Sequence, residues 1–180
     1  ECGSNEPWKV GNDYAIGGRQ MTLAEGIWKS SNTWAAQLSI EVGPCNVLDT
    51  MKKMGVHQAD GKDIERTISN ATLGSGTTTP LDLASAFATL AADGKYCEPS
   101  PIVSITTPDK KEIKVPKIAC KQVISKDTAN AATFLLKGTL RNGGTADGNW
   151  DVNARPAAGK TGTTEKHNQA WFVGYTRQLS

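Results

Sequence analysis

The sequence predicts an α+β domain in which an antiparallel sheet is flanked by helices. Apolar residues recur at helical spacing in three stretches between residues 22 and 94. β-Rich runs pair locally, first within 102–115 and then between 157–164 and 170–176, and one further helical pattern separates them. The order is therefore helices, hairpin, helix, hairpin, without regular strand–helix alternation. With 180 residues, the chain is long enough for one domain with a real core.

The first helices are separated by polar breaks. Residues 1–20 are rich in Gly, Asn and other polar groups, which predicts an irregular segment. Helical spacing begins after Thr22, is interrupted by the polar run at 29–33, and resumes over 34–42. A further helix, with its apolar residues on one face, is predicted over 46–54.

Two later helices carry clear start signals. Thr79 suits an N-cap, Pro80 suits the first helical position, and Gly94 ends the pattern. This helix is expected to be a scaffold element with one apolar face. The other helix is predicted to run from an N-cap at Ser125 to about Leu140.

The first β-hairpin is predicted around a four-residue turn at 108–111, which would place Thr107 opposite Glu112. In that register Cys97 and Cys120 fall nearly opposite each other at the base of the hairpin. A disulfide between them is geometrically reasonable, and it would stabilise the fold by roughly 3 kcal/mol if the chain-entropy model applies.

The four cysteines do not predict a metal site. None stands in a CxxC pair and no histidine lies near one, so zinc ligation is not expected. Disulfides are the open alternative, and they would imply an oxidising compartment. The other alternative is four small buried apolar residues. No metal and no cofactor is predicted.

The charge pattern excludes several function classes. The 20 basic and 18 acidic residues give a net charge of +2, and no basic run of five residues occurs. The chain therefore lacks the electrostatic footprint of a nucleic-acid-binding protein. No apolar run approaches the roughly 20 residues of a membrane span. The chain starts without Met, and we expect it to be a piece of something longer.

The stretch Gly159-Lys160-Thr161-Gly162-Thr163-Thr164 places one lysine among small and hydroxyl residues. One candidate is the phosphate-binding loop GxxxxGK[ST]. The window 154–161 has Ala154 in place of the first glycine, and Pro156 lacks the backbone N–H that such a loop uses. A β-rich run follows instead of a helix. The sequence therefore argues against a nucleotide site.

The second candidate is a serine acyl-transfer site. Penicillin-binding proteins and class A β-lactamases share the set S-x-x-K, S-D-N and K-T-G. Lys160-Thr161-Gly162 matches the third element, and Ser30-Ser31-Asn32 has the S-x-N form of the second. Each short motif is weak alone. Their context strengthens them, because S-x-N lies in a break between helical stretches and KTG lies on a predicted strand.

Three longer stretches carry a specific resemblance: TLAEGIWKSSNTWAAQL, LGSGTTTPLDLASAFATLAADG and AGKTGTTEKHNQAWFVGYT. They resemble, in order, landmarks of the transpeptidase domain of penicillin-binding proteins, and the bifunctional class A proteins more than class B. The resemblance implies a β-lactamase/transpeptidase-like fold that is incomplete in this chain. It also implies a D,D-transpeptidase that cross-links peptidoglycan stem peptides through an acyl-serine ester and is acylated by β-lactams.

The resemblance gives Ser30, Asn32 and Lys160 catalytic roles. Ser30 would relay a proton to the leaving amine, and Asn32 would bond the substrate amide and the catalytic lysine. Lys160 would add positive charge that favours the substrate carboxylate and tunes proton transfer. The simpler alternatives are that Ser30 and Asn32 cap a helix, and that Lys160 is an exposed strand lysine.

The resemblance also gives Thr161, Gly162 and Thr163 substrate-binding roles. The two threonine hydroxyls would bond the substrate carboxylate, and the Thr163 N–H would form half of an oxyanion hole. Gly162 would let the strand approach the acylated ligand closely because it has no Cβ. The simpler alternative is that Gly162 marks a strand bulge.

The nucleophile of the family is absent from this sequence, since no serine stands three residues before a lysine. We expect residues 1–180 to be the C-terminal part of one transpeptidase domain, with the S-x-x-K part and any glycosyltransferase domain outside the chain. A separate N-terminal fragment is the expected partner, the chain is expected to be inert alone, and its place is extracytoplasmic. The alternatives are a non-catalytic domain that binds β-lactam or muropeptide, and a D,D-carboxypeptidase or β-lactamase of the same fold.

Overall fold

The computed structural model describes residues 2, 8–16, 18–141, 143–164 and 168–180. Within these residues, the helices are α1 (Leu23–Trp28), α2 (Asn32–Val42), α3 (Pro44–Lys53), α4 (Ile68–Leu73), α5 (Pro80–Ala91) and α6 (Lys126–Lys137), and α6 continues into a 3-10 turn at Gly138–Leu140. The strands are β1 (Lys95–Cys97), β2 (Ile105–Thr106), β3 (Glu112–Ile113), β4 (Cys120–Gln122), β5 (Ala158–Thr163) and β6 (Ala170–Tyr175).

The α+β class and the antiparallel pairing are confirmed, but the described strands form three separate two-stranded sheets. β1 pairs with β4, β2 with β3, and β5 with β6, each pair antiparallel. The predicted first hairpin is thus divided into an inner pair and an outer pair. The second hairpin has the predicted extent within one or two residues at each end.

Five of the six described α-helices begin after a residue whose side chain accepts from a free backbone N–H of the first turn; α3, which follows Gly43, is the exception. Thr22 and Glu25 form a reciprocal capping box before α1. The Thr79 side chain accepts from Asp82 N before α5, and the Ser125 side chain accepts from Thr128 N before α6. These N-caps are the reason that the sequence located α5 and α6 well.

Two helical predictions need correction. The helix predicted over 46–54 begins at Pro44, because proline needs no N–H partner in the first turn and its ring sets a helical φ. The short helix α4 was not predicted. Its six residues are too few for a periodic pattern, and its start depends on the Thr67 side chain, which accepts from Asn70 N.

The predicted register of the first hairpin is wrong by one residue. Thr106, rather than Thr107, lies opposite Glu112. Thr107 N instead donates to Lys111 O at 2.9 Å, which closes a three-residue loop over 108–110. Lys110 adopts a left-handed conformation with φ of 63°, as the last residue of such a loop commonly does.

Both disulfides lie near the ends of regular elements. Cys97 and Cys120 are bonded and stand directly opposite each other in the β1–β4 ladder, which confirms the predicted pair. A second disulfide joins Cys2 to Cys45 at the start of α3. All four cysteines are therefore oxidised, and the alternative of four buried thiols is wrong.

The β5–β6 hairpin is held against the helices through Tyr175. The Tyr175 ring meets Phe87 of α5 edge to face, with 6.0 Å between ring centroids. The Tyr175 hydroxyl lies 2.7 Å from the Thr133 hydroxyl of α6. Only 6% of Tyr175 is exposed. This packing fixes the strand that carries Lys160 relative to α6.

Two tryptophans place α1 next to the same hairpin. The indole N–H of Trp28 donates to Leu135 O of α6 at 2.7 Å, and its ring occupies the space that a Cβ at Gly138 would need. Trp34 of α2 covers Gly26 of α1 in the same manner. The turn between α1 and α2 therefore faces β5 across a short gap.

Candidate active site

Lys160 and Ser30 meet between β5 and the α1–α2 turn. The Lys160 ammonium donates to Ser30 Oγ at 2.7 Å, although the two residues are 130 positions apart in the sequence. Lys160 also donates to the carbonyl of Thr161 at 3.0 Å. The two short motifs, SxN and KTG, are thus joined by a direct side-chain contact.

Ser30 has a backbone conformation that is uncommon for a residue with a side chain. Its φ is 52°, in the left-handed region. Neither the Ser30 nor the Asn32 side chain caps α2, because Ser31 is its N-cap and accepts from Trp34 N. The backbone of Ser30 does take part in the cap that ends α1: Ser30 N donates to Ile27 O and Ser31 N to Gly26 O, both at 3.1 Å. With Ser31 capping α2, the left-handed turn directs the Ser30 hydroxyl to Lys160.

Lys160 is largely buried, and the alternative of an exposed strand lysine is wrong. Burial lowers the pKa of Lys160 from 10.5 to about 8, because the protonated amine loses hydration in this gap. A lysine with such a pKa can exchange a proton near neutral pH, which an ordinary surface lysine cannot. The contact between Lys160 and Ser30 and the lowered pKa of Lys160 are the two features that proton transfer between these side chains requires.

Asn32 lies on the same cleft but is held by the N-terminal segment. Its side-chain amide donates to the carbonyl of Gly11 at 2.9 Å. Asn32 is the first residue of α2, so its backbone position is fixed by that helix. The contact with Gly11 fixes the orientation of the Asn32 side-chain amide.

Thr161, Gly162 and Thr163 follow Lys160 along β5. The Thr161 hydroxyl lies 2.6 Å from the hydroxyl of Thr145, in the loop after α6. The ladder with β6 continues without interruption through all three residues, so the bulge alternative for Gly162 is wrong. A Cβ at Gly162 would lie 3.4 Å from the Cβ of Trp171, which is ordinary contact. Packing alone therefore does not require glycine at this position.

These residues line one cleft of about 1010 Å³. Its walls come from four groups of residues that are distant in sequence: Trp8, Lys9, Val10, Gly11, Asn12 and Asp13; Gly26, Ile27, Ser30, Ser31, Asn32, Trp34 and Ala35; Thr72, Leu73, Gly74 and Ser75; and Lys160, Thr161, Gly162, Thr163, Thr164, Asn168 and Gln169. All six predicted site residues are included. His167, noted in the sequence after KTG, lies outside the described residues.

The part of the chain that the structure describes offers no group of three His, Cys, Asp or Glu side chains that could hold a metal ion. Within the same residues, no helix has the length and apolar character needed to cross a membrane.

Three residues of the site were not found from the sequence: Asn12, Tyr14 and Thr145. Asn12 bonds the residues that flank Asn32, and the Tyr14 hydroxyl donates to the carbonyl of Lys29. Thr145 bonds Thr161 and donates its N–H to Trp28 O at 3.1 Å. All three lie in Gly- and Asn-rich segments that have no helical or strand periodicity. The only signal in the sequence for these positions was a side chain able to form hydrogen bonds in such a segment.

The sequence features of the family described as "Penicillin binding protein transpeptidase domain" match residues 3–180. The chain belongs to this family. The expected fold is also confirmed, because solved transpeptidase domains superpose on most of the chain. The "D,D-Transpeptidase Domain of Peptidoglycan Glycosyltransferase from Eggerthella lenta" has a TM-score of 0.70 at 24% identity and covers 87% of this chain and 45% of that one.

Individual relatives agree with the class A resemblance. Penicillin-binding protein 1F of Bacillus subtilis is 32% identical over 167 residues, covering 89% of this chain and 22% of that protein. Penicillin-binding protein 1B of Haemophilus influenzae is 29% identical over 168 residues, covering 93% and 21%. The PonA1 protein of Mycobacterium tuberculosis in complex with penicillin V has a TM-score of 0.67 at 26% identity, covering 86% and 44%. The chain thus spans about a fifth of these curated relatives and less than half of these solved chains.

Proposed function

We propose that this chain supplies the SxN and KTG half of the active site of a peptidoglycan D,D-transpeptidase. The observation that carries the proposal is the 2.7 Å contact from Lys160 Nζ to Ser30 Oγ, at the cleft that all six motif residues line. Membership of the transpeptidase family supports the reaction class. The substrates are peptidoglycan stem peptides, and β-lactams react at the same site.

In the acylation step, a serine of an S-x-x-K segment attacks the carbonyl carbon of the D-Ala–D-Ala bond. A C–O bond forms as the serine hydroxyl gives its proton to the lysine of S-x-x-K, which acts as base; the C–N bond breaks, and the departing amine needs one proton. Ser30 can donate its hydroxyl proton to that nitrogen and receive another from the Lys160 ammonium. The direction of the observed bond, from Lys160 to Ser30, is the one that this relay requires. In the second step, the amine of another stem peptide, or water, takes the acyl group.

The following residues of β5 bind the substrate. Lys160 attracts the terminal carboxylate, and the Thr161 and Thr163 hydroxyls donate to it. The N–H of Thr163 is one half of the oxyanion hole, and loss of one such donor typically lowers the rate by about 100- to 1000-fold. The absence of a side chain at Gly162 lets the acylated ligand lie close to the strand.

The nucleophile comes from an S-x-x-K segment outside residues 1–180, because no serine among them stands three residues before a lysine. The proposed carrier is an N-terminal fragment of the same protein. Within the described residues, the β5–β6 sheet has only two strands; β5 faces the cleft, so the free edge of β6 is the one available to strands of that fragment. The chain alone is therefore inert. Two disulfides favour an extracytoplasmic location, where oxidised cysteines persist.

Labelling of the native protein with a fluorescent penicillin tests this proposal. Intact-mass analysis should find the adduct on the polypeptide that carries S-x-x-K, and none on this chain. An adduct on this chain would overturn the proposal. If no polypeptide is labelled, the site only binds its ligands. An adduct that hydrolyses within minutes rather than hours would indicate a carboxypeptidase or β-lactamase.

A further inference from the structure

Beyond the motif residues, we infer that Asn12 is a positioning residue that holds the SxN turn in its productive conformation. The catalytic consequence of this inference rests on the proposed function, and its structural part rests on observed contacts. Asn12 lies in the irregular N-terminal segment, 19 and 21 positions before the two residues that it contacts. Asn12 belongs to neither the SxN motif nor the KTG motif.

The turn has two supports: backbone bonds from Ser30 N to Ile27 O and from Ser31 N to Gly26 O, both 3.1 Å, which fix it to the end of α1, and a second set from outside, which fixes the start of α2. Ser30 has a left-handed φ of 52°, which non-glycine residues adopt rarely and which persists only when surrounding contacts determine it. The Lys160 contact restrains the side chain of Ser30, and backbone bonds to α1 hold the N–H groups of Ser30 and Ser31. The segment 11–14 holds what those bonds leave free: the carbonyl of Lys29, the Ser31 hydroxyl and the first residues of α2.

Asn12 makes the central contacts of this support. Its side-chain carbonyl accepts from Thr33 N at 3.1 Å and from Ser31 Oγ at 3.4 Å. Its side-chain amide donates to Thr33 Oγ1 at 3.0 Å. Ser31 is only 2% exposed, so the contact with Asn12 satisfies a hydroxyl that water does not reach.

Two neighbours of Asn12 extend the support to the other side of Ser30. The Tyr14 hydroxyl donates to Lys29 O, immediately before Ser30. The carbonyl of Gly11 accepts from the side chain of Asn32, immediately after Ser31. One short segment therefore holds every residue from 29 to 33 except Ser30 itself.

Loss of Asn12 should affect the chemical step more than ligand binding. Without its bonds to Ser31 and Thr33, the first turn of α2 can shift, and Ser30 Oγ, next to Ser31, moves relative to Lys160. Displacement of a reacting group by about 1 Å can lower a rate by about 100-fold. The carboxylate-binding residues of β5 do not contact Asn12, so the affinity for a β-lactam should change little.

The catalytic test uses Asn12→Ala and Asn12→Asp in the native protein together with its S-x-x-K polypeptide. Aspartate keeps the acceptor for Thr33 N and Ser31 Oγ, and the Thr33 hydroxyl can turn to donate. Asn12→Ala should lower the maximal acylation rate by fluorescent penicillin by about 10- to 100-fold, with the half-saturating concentration within about 3-fold. Asn12→Asp should recover the rate to within about 5-fold. Asn130→Ala and Asn130→Asp, on the exposed face of α6 outside the cleft, serve as matched controls and should leave the rate unchanged.

Hydrogen exchange separates this inference from the proposed function. The Thr33 amide should exchange about ten-fold faster in Asn12→Ala than in the wild type, while the Thr128 amide at the start of α6 keeps its rate. This comparison holds even if the native protein is not acylated at all, an outcome that refutes only the proposed function. A normal acylation rate and a protected Thr33 amide in Asn12→Ala would overturn the inference. The inference would also be overturned if Asn12→Asp lowered the acylation rate as much as Asn12→Ala does. The same holds if Asn12→Ala lowered the rate only because penicillin bound more weakly.

Discussion

The protonation of Lys160 should control the alkaline side of the acylation reaction. Burial lowers the pKa of Lys160 from 10.5 to about 8, and the proposed relay needs the protonated amine. Between pH 7 and pH 9, the protonated fraction of such a lysine falls about ten-fold, whereas an ordinary lysine would lose less than about 5% of its protons. The acylation rate should therefore fall about ten-fold over this interval.

The assay is the rate of acylation by fluorescent penicillin between pH 6 and pH 10, at a fixed ionic strength. Lys160→Arg provides the decisive comparison, because arginine stays protonated throughout this range. That variant should be slower at pH 7 because the guanidinium does not fit the same gap, but its rate should not decline between pH 7 and pH 9. A wild-type profile without a decline near pH 8, or an equal decline in Lys160→Arg, would refute the assignment of this titration to Lys160.

Three further substitutions separate folding from chemistry. Gly162→Ala should leave the melting temperature within about 2 °C of the wild type, because the new methyl group has room in the fold. It should lower the acylation rate about ten-fold, because that methyl group stands where the ligand approaches. An unchanged acylation rate would contradict the steric role of Gly162. Gly159→Ala should destabilise by about 1–3 kcal/mol, because its Cβ would lie 2.6 Å from the Phe172 ring; a wild-type denaturation midpoint would contradict this packing. Replacing both Cys97 and Cys120 by alanine should lower the free energy of unfolding by about 3 kcal/mol, since the disulfide closes a loop with a sequence separation of 23, while acylation at low temperature stays unchanged. Loss of acylation in the folded cysteine variant would show that this hairpin contributes to the site.

The sequence predicted those features that depend on local chemistry. N-caps and a helix-starting proline located α5 and α6, and β-rich runs located β5 and β6, because these signals act within a few positions of the chain. The register of the first hairpin was wrong because it depends on the loop length, and Lys110 takes a left-handed conformation that glycine or asparagine normally signals.

The site was predicted only where a motif marked it. Ser30 and Lys160 were paired through the resemblance to a family, since no local rule links residues 130 positions apart. Asn12 and Thr145 were missed because their roles depend on tertiary contacts alone. The Cys2–Cys45 disulfide was left open for the same reason, as Cys2 lies in an irregular segment that predicts no position for its side chain.

The central claim is that the SxN and KTG motifs act as one unit through Ser30 and Lys160. The most direct measurement is a double-mutant cycle on the acylation rate of the native protein, with Ser30→Ala, Lys160→Met and both together. If the two side chains form one proton relay, the double variant should be within about 3-fold of the slower single variant, because either change already breaks the relay. If the two fold-reductions multiply in the double variant, the side chains act independently, and the 2.7 Å contact is not the functional link between the motifs.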